Sequence, residues 1–299
     1  MQLRNIAIIA HVDHGKTTLV DALLQQSGTF HENQLITDRA MDSNDLERER
    51  GITILAKCTS VVWRDNRINI VDTPGHADFG GEVERILSMV DGVLVLVDAS
   101  EGTMPQTKFV LGKALRLGLK PIVVVNKVDK PDQRAFAVQD EMFDLFTILD
   151  ANDEQLDFPT LFASAKHGWA SDDPDNAGTN MDCLFERVVE HVPEPTIDTS
   201  SNFRMLVTTM EYDPFLGRIL TGRITSGAIK PNTIVKSLTI DGEIKEEGRI
   251  TKVLAFRGLE RVPLEEARAG DIVALSGLSK TTVADTILDP VADEPLYAE

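Results

Sequence analysis

NIAIIAHVDHGKTTLVDALLQQ, residues 5–26, changes its hydrophobic pattern twice within a short span. NIAIIA is an unbroken apolar run, the pattern of a strand covered on both faces. KTTLVDALLQQ spaces its apolar residues as an amphipathic helix does. Between them AHVDHGKTT (10–18) carries the phosphate-binding pattern G-x-x-x-x-G-K-[ST], with Ala10 in place of the first glycine. Strand, loop and helix in that order let the backbone N–H groups of residues 13 to 18 wrap a β-phosphate at a helix N-terminus. Asp13, His14, Gly15, Lys16, Thr17 and Thr18 are therefore candidate nucleotide contacts. Lys16 would reach the β- and γ-phosphates, and Thr17 would offer its hydroxyl to Mg²⁺. Ala10 suits the loop if its φ is negative; a left-handed conformation would cost it about 1–2 kcal/mol.

Outward from this stretch, short apolar runs alternate with amphipathic ones up to about residue 193. SVVW (60–63) and INIVD (68–72) flank RDNR and predict a hairpin. GVLVLVDA (92–99), PIVVVNK (121–127) and PTLFASA (159–165) predict buried strands. QTKFVLGKALRLG (106–118), AFAVQDEMFDLFTIL (135–149) and MDCLFERVVEHV (181–192) predict helices, the last stopped by Pro193. The alternation implies an α/β domain with a mostly parallel sheet. PEPTIDTSS (193–201) has the composition of a connection. Beyond it FRMLVTTMEY, GRILTGRITSG, TIVKSLTI, EIKEEGRITKVLAF and DIVALSG are strands joined by turn residues, which suggests an antiparallel β-barrel. The expected division is a nucleotide-binding domain over 1–196, a linker at 197–202, a barrel over 203–290 and an acidic tail at 291–299 without a core pattern.

Three further motifs follow predicted strands in order. DTPGH (72–76) places Asp72 where it could hold a water on Mg²⁺, as the second acidic element of phosphate-loop enzymes does. Gly75 can bring its N–H close to a γ-phosphate because it has no Cβ, and His76 falls where an attacking water would be oriented. NKVD (126–129) settles the base. The Asp129 carboxylate can accept from guanine N1–H and its 2-amino group, a pairing that adenine does not offer. Asn126 can tie loops together, and the Lys127 stem can lie over the ring. SAK (164–166) brings Ser164, Ala165 and Lys166 to the base, with the Ala165 N–H near guanine O6. Four elements at strand carboxyl ends match the site rule for open α/β sheets. Together they imply a GTP/GDP site.

Composition bounds the partners. With 42% hydrophobic and 26% charged residues, the chain has the make-up of a soluble globular protein. No apolar run reaches the roughly 18–20 residues of a bilayer span, and the N-terminus does not fit a signal peptide. Cys58 and Cys183 form no metal or disulfide pattern. A cytoplasmic location without a membrane partner is expected. The net charge of −18 is concentrated: residues 1–199 hold 18 basic and 33 acidic side chains, and residues 130–198 hold 4 and 16. That acidic face should aid solubility and point away from nucleic acid phosphates.

The motif set resembles the GTPase domain of translational factors. LERERGITI (46–54) is similar to their switch sequence, and by that resemblance Thr53 is a second Mg²⁺ ligand. AMDSNDLERERGITILAK, VDTPGHADFGGEVERILSMVDGVLVLVDA, EGTMPQTKFV and GLERVPLEEARAGDIVALSGL resemble the TypA/BipA family over the whole chain, more fully than they resemble elongation factor G or LepA. Members of that family continue through further domains, so the resemblance reads this chain as the N-terminal portion, with residues 291–299 leading into the rest. It implies a monomeric GTPase switch that uses GTP/GDP and Mg²⁺. Its expected partner is the ribosome, rRNA and ribosomal proteins alike, engaged mainly by domains this chain lacks. The expected role is in translation or in ribosome assembly under stress. It also implies that His76 orients the water, while Val12 and Ile52 gate the histidine; Val12 reads equally well as a core residue. An elongation- or release-type factor, or a GTP-sensing module that does not hydrolyse, remains open from the residues alone.

Overall fold

β1 (Gln2–Ala10) lies between β3 (Asn66–Asp72) and β4 (Gly92–Asp98) and runs parallel to both. β5 (Lys120–Asn126) and β6 (Thr160–Ser164) extend the parallel set, and β2 (Lys57–Trp63) and β7 (Trp169–Ser171) flank it antiparallel. The order is β2-β3-β1-β4-β5-β6-β7. Every residue of β4 is buried, and so is all of β5 except Lys120, which explains their unalternating sequences. The chain leaves β1 for β3 on one side and builds β4, β5 and β6 on the other, so the carboxyl end of β1 stands where the strand order reverses.

The structure, a computed structural model, describes residues 1–27, 57–73, 80–258 and 260–297. These form two units, Met1–Val83 with Val90–Glu194, and Glu84–Met89 with Pro195–Glu299. The helices are α1 (Lys16–Gln26), α2 (Gly80–Leu87), α3 (Pro105–Arg116), α4 (Ala135–Ile148), α5 (Asp153–Leu156) and α6 (Asp182–His191). Their limits follow the chain's punctuation. Pro105 opens α3, where a missing N–H costs nothing. Gly118 follows that helix at φ 72°, and Pro193 stands just past α6. In α4, Val138, Met142, Leu145 and Phe146 are buried at helical spacing. In the first unit, α5 and β7 are not expected from the sequence. α5 is a single turn held by a reciprocal capping box between Asn152 and Gln155. β7 lies at the start of WASDDPDNAGTN (169–180), which reads as a loop.

The second unit is antiparallel throughout its paired strands. It comprises β8 (Arg204–Leu206), β9 (Thr209–Asp213), β10 (Gly217–Ser226), β11 (Ala228–Ile229), β12 (Ile234–Leu238) and β13 (Ile244–Arg249). β14 (Lys252–Arg257), β15 (Glu260–Pro263), β16 (Ala267–Arg268), β17 (Ile272–Ser276) and β18 (Thr286–Leu288) complete it. Among the described residues the pairing path β13-β12-β18-β8-β10-β17-β14-β15 is barrel-like and curls around Met205, Val207, Leu220, Val235, Val253 and Leu275.

Two stretches read as single strands are each broken. FRMLVTTMEY divides into β8 and β9, both on β10, where Gly222 brings its backbone against Leu206. EIKEEGRITKVLAF divides into β13, paired with β12, and β14, paired with β17. At that corner the Ile250 N–H donates to Thr233 O and the Thr251 N–H to Ser276 O. The tail also differs from expectation. Ala292 is buried with Leu238 and Leu288, Lys236 Nζ lies 2.5 Å from Asp293 Oδ1, and the Leu296 N–H donates to Thr286 Oγ1.

Candidate functional site

The carboxyl ends of β1, β3, β4, β5 and β6 deliver the candidate residues to one edge of the first unit. β1 ends at Ala10, which is buried and is not among the residues of positive φ, so the substituted first glycine carries no left-handed strain. The loop's left-handed positions are instead Asp13 (φ 65°) and Gly15 (φ 93°). Gly15 precedes α1, whose first intrahelical bond runs from the Leu19 N–H to the Gly15 carbonyl. A Cβ at residue 15 would stand 2.5 Å from Asn126 Nδ2, so both conformation and space call for glycine.

Lys16 opens α1 and points across to β3. Its ammonium lies 2.6 Å from Asp72 Oδ1 and donates to Thr73 O at 2.7 Å. The Thr73 hydroxyl in turn donates to Ile8 O at 2.7 Å, fixing the end of β3 to β1. The ammonium thus lies between a carboxylate oxygen and a carbonyl oxygen. Thr17, half-buried on the first turn, and Asp72, buried at the strand end, supply hydroxyl and carboxylate oxygens. This hard-oxygen donor chemistry fits Mg²⁺, which takes few protein ligands and completes its shell with phosphate and water. Thr18 is exposed on the same turn.

His14 behaves differently from its neighbours. Its side chain is fully buried against the end of β4, and its own N–H donates to His11 O. Its Nδ1 lies 3.3 Å from the Asp98 backbone nitrogen and 3.4 Å from Leu96 O, and its Nε2 lies 3.4 Å from Glu101. Burial, with the nearby His11, lowers the His14 pKa against the opposing pull of Leu96 O, Glu101 and Asp98.

The base-side segment is bound to the same loop. Asn126 Nδ2 donates to His14 O at 2.9 Å, and Asn126 Oδ1 accepts from the Ala165 N–H at 3.0 Å. One side chain therefore links the loop after β1 to the segment after β6, as the sequence leads one to expect of Asn126. The same bond engages the N–H expected near guanine O6. Lys127, left-handed at φ 65°, donates to Asp13 O at 2.5 Å and pairs with Asp98 Oδ2 at 2.7 Å. Asp129 lies at the surface, with Oδ2 3.6 Å from His167 Nδ1. Ser164 Oγ meets that same nitrogen at 2.9 Å, and Lys166 is exposed beside it.

Asp98 and His167 join the site through partners distant in sequence. A charge ending the apolar run GVLVLVD was the available signal for Asp98, since charged groups are seldom fully buried without a partner. Burial would raise its carboxyl, but hydrogen bonds from Lys127 and Ser100 and the charge of Lys127 hold it well below the usual carboxylate range. Thr53, Gly75, His76 and Ile52 lie outside the described residues.

A phosphate-type loop before α1, an acidic residue ending β3 and an Asn-Lys-x-Asp segment ending β5 define the guanine-nucleotide-binding class. The profile of the elongation factor Tu GTP binding domain matches residues 1–194, and that of elongation factor Tu domain 2 matches residues 217–288. The chain belongs to the elongation factor Tu family of GTP-binding domains. Within that class it is similar to proteins named large ribosomal subunit assembly factor BipA. It is 55% identical over 294 residues to that of Bacillus subtilis, which covers 98% of this chain and 48% of the relative. It is 55% identical over 297 residues to that of Escherichia coli K12, covering 99% and 49%. The relative from Buchnera aphidicola is 54% identical over 288 residues, covering 96% and 47%. The TypA/BipA resemblance read from the motifs thus holds along nearly the whole chain. The chain spans about half the length of the curated relatives it matches.

Proposed function

We propose that this chain carries the GTP-hydrolysing switch of a ribosome-associated factor acting in assembly of the large subunit. The observation that supports it most is Asn126, which joins the phosphate loop at His14 O to the base-side segment at the Ala165 N–H. An arrangement of this kind suits one ligand with a phosphate end and a base end. In this reading the residue 13–18 loop and Lys16 hold the phosphates. Asp129 selects guanine, the stem of Lys127 lies over its ring, and Ser164, Ala165 and Lys166 complete the base pocket. Lys16 would leave Asp72 and Thr73 for phosphate oxygens when nucleotide enters.

Hydrolysis is in-line attack of water on the γ-phosphate, with His76 orienting the water and Gly75 donating its N–H to the phosphate. Thr17, Thr53 and Asp72 would hold Mg²⁺ directly or through water, and the ion would neutralise charge on the phosphate oxygens. With Thr53 serving the GTP-bound state through Mg²⁺, loss of the γ-phosphate would reset the switch. Unassisted turnover should be slow, about 10⁻⁴ to 10⁻² s⁻¹. The domain limits proposed are 1–196 and 203–290, with a linker at 197–202. The factor would act as a cytoplasmic monomer, with rRNA and ribosomal proteins engaged mainly by segments outside this chain.

The test is single-turnover GTP hydrolysis by a full-length relative, with and without ribosomal particles, for the wild type and His76→Ala. The variant should keep its GDP affinity while stimulated hydrolysis falls by about 10²-fold or more. Undiminished stimulated turnover would remove His76 from the reaction. The absence of any stimulation in the wild type would remove the ribosome from the proposal.

A further inference from the structure

Asp98 ends β4 with both carboxylate oxygens engaged and no exposed surface. The two oxygens have different tasks. Oδ1 accepts from the Ser100 N–H at 2.8 Å, the Ser100 hydroxyl at 2.6 Å and the Glu101 N–H at 3.4 Å, and so shapes the turn that follows the strand. Oδ2 faces the base-side segment, with Lys127 Nζ at 2.7 Å and Lys130 Nζ at 3.3 Å. Lys127 Nζ also donates to Asp13 O, so one ammonium spans a buried carboxylate and the phosphate loop. The Asp98 backbone N–H reaches the loop by a second route, through His14 Nδ1.

The two residues linked by the Lys127–Asp13 hydrogen bond are both strained. Asp13 and Lys127 are non-glycine residues in the left-handed region, where an L-residue persists only if its surroundings over-determine it. The surroundings here converge on Asp98. Lys130, the other cation on Oδ2, lies at the end of a turn whose N–H donates to Lys127 O.

We propose that Asp98 is a positioning residue for nucleotide binding: its Oδ2 anchors Lys127, and through Lys127 holds the phosphate loop and the base-side segment in their binding geometry before ligand arrives. The inference rests on the guanine-nucleotide reading of the site. It adds a residue from a third strand, one that touches no substrate and acts through another side chain. Preorganised loops bind tightly because the ordering cost is met before binding, so the expected effect lies on release of nucleotide rather than on choice of base.

Asp98→Asn separates the two tasks. An asparagine oxygen can still cap the turn, whereas the amide NH₂ in place of Oδ2 would face the lysines as a donor. Asp98→Ser is the second variant, since a hydroxyl can also cap such a turn while carrying no charge. Dissociation of a fluorescent GDP analogue would be followed by stopped flow for the wild type, both variants, Lys127→Met and the Asp98→Asn/Lys127→Met double variant. The inference predicts release accelerated by about tenfold or more in Asp98→Asn and Asp98→Ser. The double variant should release no faster than Lys127→Met alone, and preference for GDP over XDP should be kept. Release at the wild-type rate from either folded variant, effects that multiply in the double variant, or lost base preference would each overturn it. Failure of the wild-type chain to bind the analogue would instead overturn the guanine-nucleotide reading on which it rests.

Discussion

Gly15 shows how much a single residue can be asked to satisfy. Its φ of 93° lies where a side chain costs about 1–2 kcal/mol. The added Cβ would also collide with Asn126 Nδ2, the donor that reaches His14 O. Ala10, by contrast, sits at the end of a strand without positive φ, so the motif tolerates alanine there and not at residue 15. Gly15→Ala should therefore weaken GDP binding by about tenfold or more, as read by titration with a fluorescent analogue. Unchanged affinity would show that the loop does not hold the phosphates in this conformation. The loop residues are legible in sequence because their work is done by consecutive backbone groups. Asp98 and His167 are not, because each depends on a partner elsewhere in the chain, Lys127 for one and Asp129 for the other.

At the level of elements, sequence legibility followed length and burial. β4 and β5 could be read directly because burial on both faces demands unbroken apolar runs, and α4 because four buried positions recur at helical spacing. β7, β11 and β16 are two or three residues long, and β18 is three, too short for a period of their own; their partners define them. Corners are equally silent. The break between β8 and β9 depends on Gly222, where an added Cβ would meet Leu206 O at 2.0 Å. Gly222→Ala should destabilise the second unit by about 1–3 kcal/mol, seen as a lower urea midpoint, while GDP affinity stays at the wild-type value. A stability equal to wild type would mean that the two strands can part at little cost.

The whole molecule joins two units of opposite construction, a parallel sheet with helices and an antiparallel barrel-like sheet, each with its own buried cluster. Charge divides with them: the excess of acid lies in residues 1–199, while residues 200–290 hold 12 basic and 12 acidic side chains. All the nucleotide candidates fall in the first unit, so ligand should stabilise that unit and leave the other alone. Differential scanning calorimetry of the whole chain with GDP, ADP or XDP tests this most directly. At a hundredfold excess over Kd, GDP should add about 2.7 kcal/mol to the first unit, which raises its transition by roughly 5–10 °C. ADP should leave both transitions in place, and in Asp129→Asn the response should pass from GDP to XDP. An equal shift with ADP, or no shift with GDP, would contradict the claim that this chain is a guanine-nucleotide switch.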